Sequence, residues 1–157
     1  MKSILLSILF SFGVAAHAAA SEDLPGYERL TVTTEHRARP VSAALWYPAG
    51  TRSYAGRVGD GPVFEATRVL MGAKIADGQY PLFVFSHGSG GNMDNSAWLF
   101  SALVEKGAMV LAVNHPGSTS GDSSPRASLY TDLRAGDISA ALDVLLSDPV
   151  LARHVDR

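Results

Sequence analysis

Leu82-Phe83-Val84-Phe85-Ser86-His87-Gly88-Ser89-Gly90-Gly91-Asn92 is the stretch on which the fold turns. Four consecutive apolar residues predict a strand buried on both faces of a parallel sheet. The glycine cluster behind them lets backbone N–H groups face a cavity with no side chain in the way. Residues 94–106 then predict a helix with Trp98, Leu99, Ala102 and Leu103 on its inner face, closed by Gly107. Met109–Val113 (MVLAV) is a second buried strand, entering the loop Asn114-His115-Pro116-Gly117. Residues 129–147 place Leu133, Ala141, Leu142, Leu145 and Leu146 at helical spacing, with Asp148-Pro149 as the stop. Strand, helix, strand, helix predicts an α/β class with a mostly parallel sheet. Right-handed crossovers put the loops after Phe85 and Val113 on one edge, where such sheets bind ligands.

Upstream, residues 28–35 (ERLTVTTE) alternate around Leu30, Val32 and Thr34 like a half-buried strand. Val41–Tyr47 (VSAALWY) predicts another, ended by Pro48-Ala49-Gly50. Residues 51–79 hold five glycines and no sustained period, so they read as a long excursion with one turn of helix at 67–71. A connection of that length is expected to line a site. At the start, Lys2, the apolar run 4–16 and the alanines at 16, 18 and 20 make a secretory signal peptide, cleaved after Ala18 or Ala20. The run is shorter than the roughly 20 apolar residues of a spanning helix and is diluted by Ser7, Ser11 and Gly13. The expected organisation is a signal peptide over 1–20 and one domain over 21–157. The product is then periplasmic or secreted, with no stable membrane insertion.

Composition narrows the chemistry. The 157 residues suit one domain, and thirteen Lys+Arg against fifteen Asp+Glu leave a net charge of −2, with no basic excess to hold nucleic acid. Zero cysteines exclude disulfide frames, thiolate metal sites and thiol nucleophiles. No His or carboxylate pair has metal-ligand spacing, and no cofactor is expected. The phosphate-cradle patterns G-x-x-x-x-G-K-[ST] and G-x-G-x-x-G both fail around Gly88. A nucleophile elbow G-x-S-x-G would need glycine where His87 stands. What fits is an oxyanion-hole loop between a strand and a helix, set against a plain glycine turn that only lets the helix pack. His87 is expected to hydrogen-bond backbone and hold the turn. Asp122 suits a solvated pair with Arg126 or a substrate contact, Asn92 or Asp94 a helix cap, and His36 and His154 solvent.

Residues 80–125, with SHGSGGN, NHPG and SGD, resemble the bacterial predicted dienelactone hydrolase family of the α/β-hydrolase superfamily, related to platelet-activating-factor acetylhydrolase. The resemblance implies an α/β-hydrolase sheet and hydrolysis of carboxylic esters or lactones by a Ser-His-Asp triad. It also implies that the backbone N–H of Ser89, flanked by Gly88 and Gly90, is one oxyanion donor, the other coming from the residue after the nucleophile. From the residues themselves, His87 and Asp122 are candidates for the substrate side, and His115, leaving a buried strand beside Pro116, lines the pocket rim or holds a structural turn. Family members reach their G-x-S-x-G strand after the position of Arg157. The chain therefore corresponds to an N-terminal part truncated before the nucleophile-elbow strand, inactive alone, with residues 82–85 left as a sheet edge. Its expected partner is a small-molecule ester or lactone. The competing reading is a small exported binding or structural domain without chemistry.

Overall fold

The computed structural model describes residues 23–156, so the signal peptide expected over residues 1–20 lies outside the described residues. Six strands form one sheet: β1 (Gly26–Val32), β2 (Val41–Tyr47), β3 (Tyr54–Val58), β4 (Thr67–Met71), β5 (Leu82–Ser86) and β6 (Met109–Val113). Their spatial order is β3-β4-β1-β2-β6-β5. A two-residue ribbon, β7 (Ser118–Thr119) with β8 (Asp122–Ser123), stands apart. Helices α1 (Ala97–Glu105), α2 (Thr131–Ser147) and the short α3 (Pro149–Ala152) complete the fold. Among the described residues no helix is long and apolar enough to cross a membrane.

The sheet is mixed rather than mostly parallel. β5 and β6 are parallel and β1 touches β4 in parallel over two residues, but β1–β2, β2–β6 and β3–β4 are antiparallel. A parallel crossover takes about a dozen residues or more, and the link between β1 and β2, residues 33–40, is too short for one. Residues 51–79 are also not a loose excursion. They form the β3–β4 hairpin, and Thr67–Met71 is a strand rather than a helical turn. Five residues are too few for a period to separate the two states, and pairing with β3 and β1 decides it.

Successive strand residues point to opposite faces, which gives the sheet two cores. Ala44 and Trp46 of β2 with Val110 and Ala112 of β6 face α1, whereas Ala43, Leu45 and Tyr47 with Met109, Leu111 and Val113 face α2. Trp46 sits edge-on to Tyr27 and Phe100 at 5.0 and 5.6 Å between ring centres. Burying each large apolar side chain stabilises by about 1.5–3 kcal/mol. α1 turns Ala97, Phe100 and Val104 inward, and Trp98 is 55% exposed with Leu99 also facing out, so its inner face differs from the predicted one. Neither Asn92 nor Asp94 caps it. Ser96 precedes the helix without a side-chain cap bond, Asn92 accepts the Asp94 N–H at 2.8 Å, and Asp94 binds Tyr27 and Arg29. His154 is buried rather than solvated. Its Nδ1–H donates to the Gly78 carbonyl at 2.9 Å, beside a bridge between Tyr80 and Val155 that ties the segment after α3 to the start of β5.

Candidate functional site

Parallel pairing sets Ser86 opposite Val113, so β5 and β6 release their loops side by side. The glycine loop is held in one shape. Gly90 has φ +74°, the left-handed region that favours glycine, and a Cβ on Gly91 would come within 3.1 Å of the His87 Cβ. Gly90 N–H donates to Ser118 O at 2.9 Å and Gly91 N–H to Gly88 O at 3.0 Å, while Gly91 O accepts the Ser120 N–H at 2.8 Å. The N–H groups of Gly88 and Ser89 find no acceptor among the described residues, and both residues are exposed. Two adjacent peptide donors thus face solvent.

Behind the loop lies a polar cluster built around Asp137, whose carboxylate is fully buried in α2. It accepts Arg37 Nε at 2.8 Å and Nη2 at 2.6 Å, His36 Nε2 at 3.0 Å and His115 Nδ1 at 2.9 Å. Burial alone would raise this carboxyl, but the hydrogen bonds from Arg37, His115 and His36 outweigh it and hold Asp137 below the usual carboxylate range. Because the carboxylate only accepts, His115 carries its proton on Nδ1. Its Nε2 therefore accepts from Ser86 Oγ, 2.9 Å away. Burial pushes the His115 imidazole below its ordinary value, with Arg134 and His87 acting in the same direction against the Asp137 hydrogen bond.

Arg134 approaches from one turn earlier on α2. Its Nη2 donates to Ser86 Oγ at 3.1 Å and to the His87 carbonyl, and its Nη1 to Ser118 Oγ at 3.3 Å. Ser118, Ser128 and Ser89 continue as a hydroxyl chain, at 3.3 and 2.8 Å. His87 is buried, and its Nδ1–H donates to the Gly88 carbonyl at 2.7 Å. Burial is also the main reason its pKa is lowered.

Of the sequence candidates, His87, Gly88, Ser89, Gly90 and His115 come together here, with the two imidazoles 5.0 Å apart. His115 has no exposed surface and reaches the loop through Ser86. Asp122 lies in a neighbouring cleft of about 420 Å³ with Ser42, Asn114 and Thr119. Its partners are the Gly117 N–H at 3.0 Å and Arg39 at 2.7 Å, not Arg126. His36 is on Asp137 rather than in free solvent. Two other clefts, about 440 and 560 Å³, lie around residues 48–52 and 72–77, at the amino end of β6 and away from the loop. Among the described residues no group of three or more His, Asp or Glu is arranged to hold a metal.

No family model and no curated protein matches the sequence. Among solved structures, the chain is similar to a ferulic acid esterase from Streptomyces cinnamoneus, with a TM-score of 0.63 and 20% identity over 89% of this chain and 51% of that one. It shares an α/β fold with an esterase. The chain spans about half the length of that structure.

Sequence reasoning passed over Ser86, Arg37, Arg134 and Asp137. A signal for the last was present. Asp137, Ala141 and Leu145 are spaced i, i+4, i+8, so a carboxylate stood on the buried stripe of an otherwise ordinary helix. A charge in that position needs a partner.

Proposed function

We propose that the chain forms the oxyanion side of an exported hydrolase of carboxylic esters or lactones, of the dienelactone hydrolase kind. The observation that carries this reading is the pair of unengaged N–H groups at Gly88 and Ser89, at the carboxyl end of β5 in a fold shared with an esterase. Attack on an ester carbonyl gathers negative charge on its oxygen, and fixed donors already aimed there lower the barrier. Losing one such donor costs about 10²–10³ in kcat. In this reading the nucleophile is the serine of a G-x-S-x-G strand that pairs with the open flank of β5. Supporting that docking, β5 is an edge strand among the described residues, with Phe83 49% and Val84 42% exposed and no charge in LFVFS to discourage pairing. Export rests on Lys2, the short apolar run and the alanines before Ser21.

The test uses the protein as its host makes it, assayed on short p-nitrophenyl esters and labelled with a fluorophosphonate. Ser89→Pro, which removes the N–H, is expected to lower kcat about 10²–10³-fold with little change in KM. Ser89→Ala, which keeps it, is expected to leave turnover near the parent rate. Abolished labelling in Ser89→Ala would make Ser89 the nucleophile and overturn the proposal, as would an unchanged rate in Ser89→Pro. The 157-residue chain alone is expected to give no turnover. N-terminal sequencing of exported material is expected to begin at Ala19 or Ser21.

A further inference from the structure

We infer that Arg134 and His87 are positioning residues that aim the two oxyanion donors, each by gripping the carbonyl at the opposite edge of a donor's own peptide group. The inference rests on the oxyanion reading of the loop and deepens it. A trans peptide is planar, so its C=O and N–H point in opposite directions. The Gly88 N–H shares a peptide with the His87 carbonyl, and Arg134 Nη2 holds that carbonyl. The Ser89 N–H shares one with the Gly88 carbonyl, which is held by His87 Nδ1–H at 2.7 Å and by the Gly91 N–H at 3.0 Å. Each N–H is thereby turned outward and left without an internal acceptor. Such donors need placement within about 0.5 Å, and a glycine loop leaving an edge strand does not supply that by itself.

The Asp137–His115–Ser86 series backs the clamp. In order it matches orienter, base and nucleophile, yet its charges are arranged for a strut. Arg37 forks onto Asp137 and neutralises the carboxylate that would otherwise stabilise an imidazolium. Arg134 donates to Ser86 Oγ, and proton transfer would create a second cation beside it, on an imidazole with no exposed surface of its own. His115 therefore stays neutral and fixes the end of β5, while α2 supplies both Asp137 and Arg134 three residues apart, on one face.

The experiment reads two signals on the protein as its host makes it: steady-state kinetics on p-nitrophenyl esters, and the amide ¹H–¹⁵N resonances and hydrogen exchange of Gly88 and Ser89. His87→Ala and Arg134→Met are expected to lower kcat about tenfold to a hundredfold with KM nearly constant, a displaced donor costing less than a deleted one. The Ser89 amide is expected to shift in the first variant and the Gly88 amide in the second. His87→Asn, whose side-chain N–H reaches the place of Nδ1–H, is expected to restore both signals, and Arg134→Lys, with one donor left, to restore them in part. Unmoved amides with kcat within twofold of the parent would overturn the inference even where Ser89→Pro is inactive. Amides that move while neither these variants nor Ser89→Pro change turnover would leave the clamp standing and sink the oxyanion reading instead. A fluorophosphonate adduct on Ser86, lost in Ser86→Ala, would overturn the strut by making that serine the nucleophile.

Discussion

Strands β5 and β6 lie side by side in parallel, and LFVFS and MVLAV read almost alike. Every residue of β6 is buried, whereas Phe83 and Val84 of β5 keep nearly half their surface in solvent. Composition does not separate them. Neighbours do, because β6 has β2 on one flank, β5 on the other and a helix over each face, while β5 is paired with β6 alone among the described residues. A short apolar run thus states what a strand can bury, and the pairing decides what it does bury. The division has a functional side. β6 carries stability, and β5, held on one flank, carries the loop with the two free donors.

The largest effect is expected where the ends of both strands meet, at Asp137. Asp137→Asn leaves Arg37, only 11% exposed, without its anion, and removing one partner of a buried pair costs about 3–5 kcal/mol. Urea unfolding should show that loss, and hydrogen exchange should show the ends of β5 and β6 loosening together, since His115 and Ser86 hang from the same carboxylate. A loss under about 1 kcal/mol would mean that water reaches Arg37 and that the two ends are independent.

A direct contrast comes next. Leu111→Ala in β6 is expected to cost about 2–5 kcal/mol, the range for emptying a packed leucine site. Phe83→Ala in β5 should cost well under half as much, because much of its ring already touches water. Equal losses, measured by urea midpoint on the same preparation, would break the comparison and show that the outer side of β5 is covered in solution.

Much of this was legible beforehand, and the failures share a cause. The bounds of β2 and β6 follow from apolar runs closed by Pro48 and by Asn114, and the glycine loop from its place after a strand. The helix α2 follows from Ala141 and Leu145, both buried as the spacing requires. In contrast, α1 carries AWLFSALVE, apolar nearly all round, so no polar side marks its outward face. The large residues Trp98 and Leu99 suggest an inner face that Ala97, Phe100 and Val104 in fact occupy. β4 became a strand only through its partners. The polar cluster joins residues a hundred positions apart, Arg37 and Asp137, and no local pattern near either names the other. Local chemistry was readable, and long-range pairing was not.

The smallest effect separates the strand ends by pH. His87 leaves β5 and His115 leaves β6, and burial lowers both imidazoles in the folded state. The unfolded chain, with histidines titrating near 6.5, therefore binds more protons between that value and the lowered ones. Stability rises with pH wherever the unfolded state is the more protonated, so the protein should lose stability as pH falls from about 8 through 6.5 toward 5. Asp137 adds nothing in that window. Its carboxyl is lowered too, so its contribution is present above the unfolded value of about 3.9 and fades only below it. His87→Asn and His115→Gln should each flatten the slope, because burial lowers both rings. Amide exchange along β5 should rise before that along β6 on acidification, since β5 has one hydrogen-bonded flank to lose and β6 has two. A parent protein whose urea midpoint is flat from pH 8 to 5 would show both rings titrating freely and the strand ends open to water.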